Sequence, residues 1–198
     1  MIAQAALGLG LGFVTGMPLG VINVAIVDSA AAGRRRFATG LGLGGAAADT
    51  IHAGLAFVGV GRLVTARPEL VRWLAVAAAV LIIGYAVLAW RRRRGVVRVT
   101  SDDSRMVHGV TTGAALTLPN PGALAAWVAV AASLWPDATP VDAGVIAAGV
   151  GVGSAVWFTL LARFISGVRP DHWAIVAIPR IALVALVAIA VVGLVRVS

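Results

Sequence analysis

Long apolar runs alternate with short polar punctuation along this chain. Runs near residues 5–27, 38–60, 70–90, 107–134, 141–164 and 173–195 each reach the roughly 20 residues an α-helix needs to cross a hydrocarbon layer. Charged positions fall mostly between them. The pattern predicts an all-α membrane protein with six transmembrane helices. Two of the runs are interrupted. Gly16-Met17-Pro18-Leu19-Gly20-Val21-Ile22-Asn23 lies inside the first, and Leu118-Pro119-Asn120-Pro121-Gly122 inside the fourth. Proline removes one backbone hydrogen bond and obstructs another. At bilayer depth, backbone groups freed in this way are tolerated only inside protein or along a watery cavity. Helices 1 and 4 are therefore expected to be broken.

The break recurs in the first span of each half, and each has an Asn close by, Asn23 and Asn120. With three spans per half, this predicts two inverted three-helix repeats. Residues 1–94 form the first repeat, 95–105 a cytoplasmic linker, and 106–198 the inverted second repeat. The arginines set the orientation. Arg34 to Arg36, Arg91 to Arg94, Arg98, Arg105, Arg163, Arg169 and Arg180 fall on one side, and Arg62, Arg67, Arg72 and Arg196 on the other. The side richer in Arg is expected to be cytoplasmic, which leaves both termini extracytoplasmic in a multi-pass protein of the cell inner membrane. Met1-Ile2-Ala3-Gln4 carries no basic residue, so the first run reads as a helix rather than a removable signal.

Composition supports lipid as the solvent. Residues are 60% hydrophobic and 12% charged, with mean hydropathy +0.98, against about 25% charged in soluble domains. The net charge of +8 comes from arginines between apolar runs, where topology needs them, so nucleic acid is not expected as a partner. The chain has no cysteine, which excludes disulfides, thiolate metal sites and cysteine nucleophiles. His52, His108 and His172 are dispersed. No metal site and no cofactor are expected. Gly151-Val152-Gly153-Ser154-Ala155 resembles a nucleophile turn only superficially, and paired intramembrane aspartates are absent, so the chain does not read as an enzyme.

A pair of interrupted segments, one per half, is the usual pointer to a transporter's substrate site. Pro18, Gly20, Asn23, Asn120, Pro121 and Gly122 are the candidate substrate-binding residues. Asp49 is the acidic residue well inside a span, and intramembrane charges are costly and by default functional. His52 follows three residues later on the same helix face. Together they are candidates for proton coupling or for binding a substrate ammonium. Arg180, after Pro179, is a candidate gate. Asp28 closes the first run near Arg34 to Arg36 and reads as an interfacial ion-pair partner. Gly8, Gly12, Gly16 and Gly20 recur every four residues, as do Gly40 and Gly44, and Gly149 and Gly153. Such ridges let helix backbones approach closely. Trp127 and Trp157 lie deeper than the other tryptophans, which sit near span ends.

In order and spacing these elements resemble the LysE/RhtB-type family of bacterial amino-acid exporters. Pro18-Leu19-Gly20-Val21-Ile22-Asn23 is similar to that family's P-[IL]-G-P-x-N element, with Val21 in place of the second Pro. Gly33-Arg34-Arg35-Arg36 corresponds to its Gly-Arg-rich turn, and Gly44 to His52 to its G-x-x-x-G-D segment. Asn120-Pro121-Gly122 corresponds to N-P-K, with Gly122 replacing the Lys. The resemblance implies secondary active export of amino acids or related small zwitterionic or cationic metabolites, with a coupling proton as second partner. A metal-ion exporter of the same superfamily and a non-transporting scaffold or lipid-handling component remain alternatives. The small size favours a homodimer, which no residue pattern specifies.

Overall fold

The structure, a computed structural model, describes residues 1–17, 20–59, 104–135 and 138–167, with isolated positions between 66 and 87 and at 184, 187 and 191. Among the described residues there are six helices and no strand: α1 (Ile2–Gly16), α2 (Val21–Ala31), α3 (Arg35–Phe57), α4 (Ser104–Thr117), α5 (Pro121–Leu134) and α6 (Pro140–Gly167). The first apolar run is the pair α1 and α2, bent by 66°, and the fourth is α4 and α5, bent by 73°. The second and fifth runs are α3 and α6. Pro18, Arg180 and nearly all of the sixth run and of the 95–105 linker lie outside the described residues.

Among the described residues, α6 alone is long and apolar enough to cross a membrane, with mean hydropathy 2.0, and each bent pair passes the same test as a unit. The 23 residues of α3 would reach about 35 Å at 1.5 Å per residue. Its glycines, Asp49 and His52 lower its hydropathy.

Glycines decide how the helices pack. α1 lies along α6, with Gly8 over Ile146, Gly12 over Val150 and Gly153 over Leu9. A Cβ at any of these glycines would strike a carbonyl oxygen of the other helix, so the two backbones touch. α3 lies along α4 in the same manner: Gly40 over Met106, Gly44 over Val110, and Gly113 over Leu41. In both seams the residue numbers rise together, so the paired helices run parallel. α3 and α6 run antiparallel, with Gly42 against Phe158, Thr50 against Gly151 and Gly54 near Ala147. The seams therefore point in opposite directions. α4 thus starts at the same end of the bundle as α3, and most of the third apolar run lies outside the described residues. The seams also share a register: Gly8, Gly12 and Pro18 have the spacing of Gly109, Gly113 and Pro119.

Two apolar clusters fill the interior. The first gathers Val24, Ala25 and Ile26 of α2 with Leu41 and Ala46 of α3, Leu116 of α4, and Phe158 and Ala162 of α6. The second joins Ala53 and Phe57 of α3 to Trp127 and Ala131 of α5, and to Ile146 and Val150 of α6. Along α3 the first cluster ends at Ala46 and the second begins at Ala53. Along α6 the second ends at Val150 and the first resumes at Phe158. The stretches left between them carry Asp49, His52 and Ser154, while Trp157 packs against the first cluster.

The α2–α3 turn needs a glycine, because Gly33 has φ +76° and an L side chain rarely adopts that conformation. Gly33 N–H donates to the Ala30 carbonyl and Arg34 N–H to that of Ser29, the double closure of a Schellman motif. The turn brings the Arg34 guanidinium 3.3 Å from buried Asp28 and over the Phe37 ring. Asp28 thus has the ion-pair role expected of it.

Candidate functional site

The first break is met by residues of α2 and α6. Gly20 is the N-cap of α2, extended at φ −102° and ψ 177°, with no side chain capping the helix. One turn in, Asn23 is 3% exposed. Its Nδ2 donates to the Gly16 carbonyl at 2.7 Å, an oxygen at the end of α1. Its Oδ1 accepts from Trp157 Nε1 at 3.1 Å. The Trp157 ring covers Gly16 so closely that a Cβ there would lie 2.9 Å from Cδ1, and it meets Phe13 edge to face. Asn23 therefore ties the break to α6.

At the second break, Asn120 is the N-cap of α5 and its Oδ1 accepts from Gly122 N–H at 3.0 Å and Ala123 N–H at 3.4 Å. Pro121 occupies the first helical position, where its missing N–H costs nothing. Gly122 is exposed. The carbonyl of Leu118, just past the end of α4, is met from another helix, by His52 Nε2 of α3 at 3.1 Å.

Between the breaks lies Asp49. Its Oδ2 accepts from Ser154 Oγ at 2.8 Å, and the Trp127 side chain of α5 also hydrogen-bonds to it. Ser154 is fully buried, and its hydroxyl also lies 3.2 Å from the Gly12 carbonyl of α1. A hydroxyl has one hydrogen to give, so these two acceptors compete. Helices α1, α3, α5 and α6 thus meet around one carboxylate, with His52 a turn further along α3.

Of the sequence candidates, Asp49 and His52 share this layer with the Leu118 carbonyl of the second break. Asn23 is held apart from them, by the Gly16 carbonyl and by Trp157, three residues past Ser154 on α6. Asn120, Pro121 and Gly122 form the start of α5, with the Asn120 oxygen engaged by its own helix. Ser154 was not among the candidates. Its neighbour Gly153 marks the face of α6 turned to α1, but nothing in the sequence specifies which α3 residue it meets. Among the described residues, no group of three or more His, Asp or Glu side chains could hold a metal ion.

A bundle with two broken spans and a carboxylate held among four of its helices has the build of a membrane carrier. The sequence model of the LysE type translocator family matches residues 13–196. The chain belongs to that family, whose members are membrane transporters and not enzymes. No curated protein and no solved structure matches it.

Proposed function

We propose that this protein is a secondary active exporter of amino acids or related small zwitterionic or cationic metabolites across the inner membrane, driven by proton exchange, with both termini extracytoplasmic. The observation that carries the proposal is Asp49, a carboxylate between two helix breaks and between two apolar clusters, hydrogen-bonded from α5 and α6. A charge at span depth is costly unless it has work to do, and a carboxylate can take either an ammonium or a proton. Residues 1–94 and 106–198 act as inverted repeats. The shared Gly-Gly-Pro register and the two opposed seams support that division.

Ser154 supplies a link from the proton to the packing. With Asp49 ionised, the Ser154 hydroxyl donates to the carboxylate. With Asp49 protonated, its own O–H donates to Ser154 Oγ, and the Ser154 hydrogen turns to the Gly12 carbonyl. One proton on α3 thereby alters a contact at the α1–α6 seam. Ser154→Ala is expected to lose about tenfold or more in gradient-driven export, since a hydrogen bond to a charged group is worth about 1.5–3 kcal/mol. Exchange of substrate for substrate should persist. Equal loss of both would count against the link.

The export reading itself is tested in cells that accumulate amino acids from supplied dipeptides. Cells carrying the protein should release at least one amino acid faster than cells without it, and a protonophore should slow that release. Identical release of every amino acid with and without the protein would overturn the proposal.

A further inference from the structure

His52 is 2% exposed, and its two ring nitrogens have different fates. Nε2 lies 3.1 Å from the Leu118 carbonyl oxygen. A carbonyl only accepts, so Nε2 carries a hydrogen and donates it. Nδ1 is buried and has no hydrogen-bond partner. In the neutral ring, a donating Nε2 leaves a bare lone pair at Nδ1. Buried polar atoms are nearly always paired, so one left alone marks a place where a donor is missing. The tautomer is fixed by a carbonyl of the second helix break, so the break itself keeps this acceptor open.

Asp49 lies three residues before His52, hence on the same face of α3. One of its oxygens is engaged by Ser154. A carboxylate that already accepts from Ser154 and Trp127 and an imidazole nitrogen with no donor thus share one face of α3. We infer that His52 Nδ1 is a substrate-binding atom that accepts one N–H of a primary ammonium while Asp49 accepts another. The inference rests on the export reading and narrows it. A primary ammonium has N–H groups for both acceptors. Each N-methyl group removes one donor and adds bulk in a buried site, so the transporter should favour primary amines over their N-methylated forms.

Two substitutions at His52 separate binding from structure. Gln can place an amide N–H near Nε2 and keep the tie to Leu118, but it puts nothing at Nδ1. Asn can place its oxygen near Nδ1 but does not reach Leu118. The probe is the amino acid whose release the intact protein accelerates most from dipeptide-fed cells, compared at equal membrane abundance. His52→Gln should slow release of subsaturating substrate by about tenfold or more, and His52→Asn should retain most of it. The reverse order, Gln active and Asn inactive, would show that His52 only braces the break and would overturn the inference while leaving export intact. If neither variant accumulates, the intact protein decides with the same amino acid and its N,N-dimethyl derivative. Equal release of the two overturns the inference, and strong preference for the primary amine supports it. Absence of accelerated release by the intact protein would overturn the export reading and this inference with it.

Discussion

The two helix breaks have similar sequences and opposite economies. At the first, the Gly16 carbonyl is met by Asn23 from the same break, and the Trp157 ring covers Gly16. At the second, Asn120 caps its own helix, and the Leu118 carbonyl is met by His52 from α3. Each Asn thus answers a different deficiency: Asn23 supplies a donor to a helix end, Asn120 an acceptor to a helix start. The first break is a closed unit fastened to α6. The second depends on a residue whose remaining nitrogen is unpaired. The asymmetry suggests that the first break holds α1 and α2 in place, while the second couples the site to its surroundings.

Exchanging the equivalent residues sharpens the contrast. Asn23→Ala strands both the Gly16 carbonyl and the Trp157 N–H, and should destabilise the protein by about 2 kcal/mol or more. Asn120→Ala loses only a helix cap and should cost about 1 kcal/mol. Thermal unfolding in detergent, compared between the two variants, checks the order. If Asn120→Ala proved the more damaging, the second break would be the structural one.

The glycines beside the breaks give a smaller pair of effects. Gly16→Ala pushes a methyl group to 2.9 Å from the Trp157 ring, and overpacking of this kind costs about 1–3 kcal/mol. At Gly122 an added Cβ meets only the Asn120 Oδ1, at 3.2 Å. Ala is also the better helix former by about 1 kcal/mol, so Gly122→Ala should change stability by less than about 0.5 kcal/mol. The same unfolding measurement separates the two, and equal melting temperatures would argue that Trp157 does not pack tightly on Gly16.

Much of this arrangement is legible in the sequence because membrane helices announce themselves by length and apolarity. The breaks are visible as prolines inside apolar runs, and Asp49 and His52 as polar residues where lipid would exclude them. Their partners are not visible. Ser154 reaches Asp49 only because α3 and α6 run antiparallel in one register, across 105 residues of chain. The glycine seams could be anticipated as close contacts, but not which ridge meets which. Gly109 and Gly113 show their significance only once they are seen against α3. Asn120 illustrates a local signal that can be read directly. Asn followed by Pro is a helix-start signature, and Asn120 caps α5, whereas Asn23 lies inside α2 and meets the end of α1.

The central claim is that Asp49 couples protons to export. Its most direct test uses purified protein in liposomes, with the amino acid identified in cells. Uphill accumulation under an imposed proton gradient is measured beside exchange without a gradient, for the intact protein and for Asp49→Asn. The account predicts that Asp49→Asn loses uphill transport while exchange continues at raised substrate concentration, because the Asn oxygen still accepts an N–H but carries no charge. Gradient-driven transport unchanged in Asp49→Asn would contradict it.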